Sequence, residues 1–170
     1  MSDLSYRDAA ATDATAVATL FADCFTQTFG GLYAPDDLAL FLEEKRPEAF
    51  ASEIGDPDFA FQLAEADGVV IGFVKLGPPD LPGDTPPESI ELRQLYVLSP
   101  WQGAGVAAAL TDWAFAEARR RGKVHLQLSV YVDNHRARKF YERRGFVEVG
   151  NYRFMVGNHV DDDRVMRVLL

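Results

Sequence analysis

Three groups of residues in this 170-residue chain have types and spacing that suit chemistry. The first is Gln102-Gly103-Ala104-Gly105-Val106-Ala107. A glycine-rich turn between a strand and a helix lets backbone N–H groups converge on a phosphate. Gly103 and Gly105 remove side chains that would block close approach, and Ala107 and Ala108 keep the first helical turn slim. The second group is Asp161-Asp162-Asp163, which reads as a soluble turn or as a cation site. The third is the set of soft or titratable side chains. Cys24, the only cysteine, falls on a buried helical stripe with no neighbour to lower its pKa, so it is expected to be core rather than nucleophile. His125, His135 and His159 lack metal-ligand spacing, and no metal is expected.

The elements that must position these residues follow from periodicity. Thr12 or Asp13 caps a first helix carrying Val17, Leu20, Phe21, Cys24 and Phe25, which Gly30-Gly31 breaks. Pro35-Asp36-Asp37 opens a second helix, and a third short one runs from Pro47 to Ile54. Phe59, Phe61 and Leu63 mark a strand, Asp67-Gly68 a hairpin turn, and Val70 to Leu76 the return strand. Residues 77–88 hold five of the nine prolines and read as an exposed loop.

Ser89 to Leu98 is the informative strand. Ile90 and Leu92 set one apolar face, but after Arg93 the apolar phase slips to Leu95 and Val97. Such a slip fits a β-bulge, or else a strand buried on both faces. Val106, Leu110 and Trp113 then mark a helix that Gly122 ends. A strand over Val124 to Val132 follows, then a helix capped by Asn134 that carries Ala137, Phe140 and Tyr141 and closes at Gly145. Tyr141 at this spacing suits core packing. Two last strands, Phe146 to Val156 and Arg164 to Leu170, are separated by a loop holding the three aspartates. The order predicts one mixed α/β (α+β) domain spanning 1–170.

Gly103, Gly105 and Ala108 also match a dinucleotide fingerprint, with Asp133 placed to bind a ribose. A doubly wound domain needs more strand–helix units than the 37 residues after Asp133 supply. Net charge is −9, yet residues 119–144 carry nine basic side chains against two acidic ones. The remainder therefore holds eight basic and twenty-four acidic residues, so one end suits an anion and the other a cation. So acidic a surface excludes duplex nucleic acid as a natural partner. No apolar run approaches the ~18 residues of a membrane span, the N-terminus lacks a secretion signal, and a cytoplasmic location is expected.

Gln102 to Ala107 resembles the acetyl-CoA pyrophosphate loop of the GCN5-related N-acetyltransferases (GNAT), Gln/Arg-x-x-Gly-x-Gly/Ala. Asn134 to Phe146 is similar to their second motif, Asn-x-x-Ala-x-x-Phe-Tyr-x-x-x-Gly-Phe, and Leu95-Tyr96-Val97 sits where their bulged fourth strand sits. Phe21 to Phe29, Tyr33 and Tyr152 to Met166 resemble the bacterial spermine/spermidine acetyltransferase branch, although Tyr131 stands where that branch suggests tryptophan.

The resemblance implies a GNAT fold, a twisted mixed sheet of about seven strands flanked by helices. It also implies transfer of acetyl from acetyl-CoA to a primary amine, here a small polyamine. By the same resemblance Gly103, Ala104, Gly105, Val106 and Ala107 hold the pyrophosphate, and Gln102 shapes the loop. Leu95, Tyr96 and Val97 pair with the pantetheine arm, which Asn134 also contacts. Tyr141 becomes the general acid for the departing thiol, and Glu91 the carboxylate that takes the amine proton, directly or through water. A protein or peptide amine as acceptor, and a non-catalytic acetyl-CoA-binding regulatory module, remain the alternatives. Pairing of the last strands between chains would give a homodimer.

Overall fold

A computed structural model describes all of residues 1–170. Seven strands form one sheet in the order β1-β2-β3-β4-β5-β7-β6. They are β1 (Leu4–Asp8), β2 (Ala60–Ala66), β3 (Val69–Gly77), β4 (Ser89–Val97), β5 (His125–Tyr131), β6 (Val147–Val156) and β7 (His159–Leu169). The helices are α1 (Ala14–Phe29), α2 (Pro35–Glu43), α3 (Pro47–Ile54), α4 (Val106–Arg120) and α5 (His135–Glu142). The fold is the mixed α/β arrangement expected. Two cores lie on opposite faces of the sheet. One packs Val106, Leu110, Ala114 and Ala118 of α4 against Leu126, Leu128 and Met166. The other gathers Phe21, Phe25, Phe41 and Phe50 of α1–α3 over Phe61 and Phe73.

Only β4 and β5 run parallel, as a pair joined by a crossover helix must. They pair over just Ser89–Glu91 with His125–Gln127. Beyond that they separate, leaving a wedge open towards their C-terminal ends. The phase slip in β4 is a bulge: Lys75 faces Gln94 and Leu76 faces Leu92, so Arg93 is the extra residue. Ile90 and Leu92, and then Leu95 and Val97, therefore point to the α4 side. Glu91, Gln94 and Tyr96 are turned to the α1 side, where Tyr96 meets Phe21 edge-on at 5.0 Å.

Two features differ from the sequence reading. Asp161, Asp162 and Asp163 lie within β7, which begins at His159 rather than Arg164, and the turn shrinks to Gly157-Asn158. The run of like charges hides the alternation, since Asp161 and Asp163 are buried whereas Asp162 is exposed. The edge strand β1 has no signal in the sequence because all five of its residues are exposed. The 77–88 loop is irregular as expected, but it is tethered to the sheet. Arg93 donates to the Pro78 carbonyl at 2.9 Å, and Arg167 to that of Asp84 at 2.8 Å.

Candidate active site

The wedge opens into a cleft of about 780 Å³ that runs across the sheet from the start of α4 to the β6–β7 hairpin. At the α4 end, Gly103 and Gly105 adopt φ of 81° and 84°. These left-handed values favour glycine, and a Cβ at either position would meet only open space. The loop leaves the N–H groups of Gly103, Gly105, Val106, Ala107 and Ala108 without acceptors in the protein. The Ala104 N–H instead donates to the Trp101 carbonyl at 3.3 Å. Val106 anchors the loop through a buried side chain.

Gln102 ties three elements together. Its Nε2 donates to the Val97 carbonyl at 3.1 Å, and its Oε1 accepts from Arg136 of α5 at 2.9 Å. Asn134 caps α5 by accepting from the Ala137 N–H at 3.3 Å, and its residue borders the cleft. The Leu98 N–H donates to Ile71 on the β3 side at 2.8 Å. Main-chain groups alternate along a strand, so those of Leu95 and Val97 face the wedge and those of Tyr96 face β3. Tyr96 enters the site through its ring.

Tyr141 is buried on α5, and its hydroxyl makes no hydrogen bond within the protein. Burial pushes its pKa well above the usual tyrosine range, with Arg144 pulling weakly the other way. Its phenol therefore keeps its proton at neutral pH.

The α1 side of the cleft is aromatic and acidic, with Tyr33, Tyr131, Tyr152 and Phe154 alongside Glu91, Asp161 and Asp163. Glu91 is buried near the closed apex of the wedge. One oxygen accepts from the Asp80 N–H at 2.7 Å and the other lies 3.8 Å from Arg93. Burial raises its pKa, and that hydrogen bond and Arg93 partly offset the rise. Asp161 accepts from the Tyr33 hydroxyl and lies 3.3 Å from His159 Nε2. Asp163 is pushed up to about 7 by burial and by Asp161 and Asp162. Two buried acceptors on this side, Gln94 Oε1 and Asp163 Oδ1, have no partner. Tyr33, Tyr152, Arg136 and Arg143 were not singled out as site residues by sequence reasoning, because only the crossing of distant elements brings them to the cleft.

The glycine loop, the Arg136 and Arg143 side chains at the cleft and the unpaired β4 edge suit an acyl-CoA site, and comparison with known proteins agrees. The sequence profile of the "Acetyltransferase (GNAT) family" matches residues 15–146. The chain belongs to this family. It is thus an acyl-CoA-dependent N-acetyltransferase by descent. It is 34% identical over 156 residues to an uncharacterized N-acetyltransferase of Mycobacterium tuberculosis, covering 91% of this chain and 96% of that one. It is 30% identical over 113 residues to the aminoalkylphosphonate N-acetyltransferase of Salmonella typhimurium, covering 63% and 68%. The PaiA N-acetyltransferase of Thermoplasma acidophilum, solved in complex with coenzyme A, superposes with a TM-score of 0.80. That match spans 99% of both chains at 20% identity and speaks to the fold. No helix is long and apolar enough to cross a membrane.

Proposed function

We propose that the protein transfers an acetyl group from acetyl-CoA directly to a primary amine, with small polycationic amines as preferred acceptors. The observation that carries this reading is a cleft whose two halves have opposite character. Unpaired N–H groups and Arg136 and Arg143 stand at one end, aromatic rings and buried carboxylates at the other, and Tyr141 also lines it.

The residues fit a nucleotide thioester. The N–H groups of Gly103, Gly105, Val106, Ala107 and Ala108 would hold its pyrophosphate, as a helix N-terminus does. The main-chain groups of Leu95 and Val97 and the Asn134 side chain would hold the pantetheine arm. Bound there, acetyl-CoA supplies an acetyl group activated as a thioester. Tyr141 holds a proton for the leaving sulfur, because burial keeps it protonated. Gln102 fixes the loop against the end of β4 and the start of α5, so donor and acid are registered to each other.

An alkyl ammonium with pKa near ~10.4 must lose a proton before attack, at a cost of roughly 4–5 kcal/mol at pH 7. Glu91 is the carboxylate proposed to take that proton through water, since burial raises its basicity while its oxygens also anchor the 77–88 loop.

The test is thiol release from acetyl-CoA with spermidine, simple diamines, a peptide and a no-acceptor blank. Saturable release with the polyamines supports the reading, and release with the peptide alone discards the polyamine assignment. Tyr141→Phe should lower kcat by roughly 10²–10³ with little change in the KM for acetyl-CoA. Full turnover and an unchanged pH profile in that variant would remove the acid role.

A further inference from the structure

Asp163 is a buried carboxylate of the cleft with no ion pair in the protein, and Ser129 is the only side chain that offers it a hydrogen bond. Its side chain is 6% exposed, it lines the cleft, and its Oδ1 has no hydrogen-bond partner. The neighbouring basic group is turned away, since Arg164 pairs with Asp162 and with Glu148 at 2.9 Å. Asp161 is engaged by Tyr33 and His159. The charge of Asp163 is felt by four phenols, those of Tyr33, Tyr96, Tyr131 and Tyr152, which come from the α1–α2 connection, β4, β5 and β6. A buried anion walled by aromatic rings and lacking a counter-charge is a receptor for a cation.

Sheet register says which cation. Glu91 is level with Gln127, and Tyr131 lies four residues beyond Gln127. The bulge at Arg93 absorbs one residue, so Tyr96, five beyond Glu91, is level with Tyr131. Tyr131 faces Asp163 directly across the β5–β7 pair. Asp163 therefore faces the β4 edge that would hold the thioester from two strands away, across the mouth of the wedge. Two ordinary spacings are roughly 10 Å, and the splay of β4 from β5 adds to this, so an ammonium bound at hydrogen-bond distance from the carboxylate leaves about 7 Å or more to β4.

Resting on the acetyl-transfer reading of the cleft, we propose that Asp163 docks a second cationic group of the acceptor. That group sits about 7 Å or more from the nitrogen that receives the acetyl group. Acceptor selectivity then comes from charge and spacing at Asp163, separately from the proton transfers assigned to Glu91 and Tyr141.

The test compares 1,6-diaminohexane and spermidine, whose terminal nitrogens are far enough apart to span the two sites, with n-hexylamine, which has the same reacting end and no second charge. In the wild-type protein kcat/KM should favour the diamine over hexylamine by more than roughly tenfold, the effect of one charge-assisted contact. Asp163→Asn should bring that ratio close to one, mainly through the KM for the diamine. Asp163→Glu should restore most of the preference. The KM for acetyl-CoA, read in the same runs, reports whether each variant retains a folded donor site. A wild-type preference that survives Asp163→Asn, or no preference at all, overturns the assignment while leaving the acetyltransferase reading intact. Absence of thiol release from the wild-type protein with all three amines overturns both.

Discussion

Removing the charge of Asp163 is expected to stabilise the free protein at alkaline pH. The carboxyl titrates at about 7 in the fold against an ordinary 3.8, because burial and two neighbouring aspartates disfavour its charged form. A raised carboxyl pKa favours folding while the group is protonated. That contribution is complete below pH ~4 and is lost as pH rises through ~7. The shift of about three units corresponds to at most ~4 kcal/mol, and water in the open cleft screens it to roughly half. Asp163→Asn keeps the shape and removes the charge, so at pH 8 it should add roughly 2 kcal/mol and raise Tm by about 4–8 °C. At pH 4, where the wild-type group is neutral, the two proteins should melt together. The assay is thermal unfolding by calorimetry at pH 4, 6 and 8 in amine-free buffer. A Tm difference independent of pH, or a variant less stable at pH 8 than at pH 4 relative to wild type, would refute the argument. The charged receptor is thus a cost to the free fold that binding of a cation offsets.

Gly105→Val should raise the KM for acetyl-CoA at least tenfold with a small loss of Tm. Its φ of 84° strains a branched residue by roughly 1–3 kcal/mol, while the added side chain meets open space. Gly157→Ala should destabilise the protein by about 2 kcal/mol and weaken acceptor binding, measured by chemical unfolding and by the acceptor KM. Its Cβ would lie 2.5 Å from the Asp37 Cα, forcing the β6–β7 turn off α2, where the Asn158 N–H donates to Asp37 at 2.9 Å. Cys24 should resist a disulfide-exchange reagent at pH 8 until the protein is unfolded. It is buried, and its thiol is pushed up to about 11. Rapid labelling of the native protein would contradict that burial.

Local chemistry was legible in the order of residues. The glycines of the loop, the Asn134 cap and the slip after Arg93 each reflect a backbone requirement met within a few positions of chain, and each stands where sequence reading put it. The helices were legible because their apolar spacing records a single buried face. Where that record fails, so does the reading. Strand β1 buries no face, and β7 carries aspartates at positions where alternation predicts apolar residues.

The acceptor side of the cleft was decided by tertiary structure. Tyr33 comes from the α1–α2 connection and Tyr96, Tyr131, Tyr152 and Asp163 from four separate strands, and no spacing in the chain links them. They meet because β7 inserts between β5 and β6 and because the bulge in β4 turns Tyr96 to their face. Sequence thus determined the donor loop, which one strand–turn–helix segment builds by itself. The acceptor subsite depends on strand order and register, which only long-range pairing fixes.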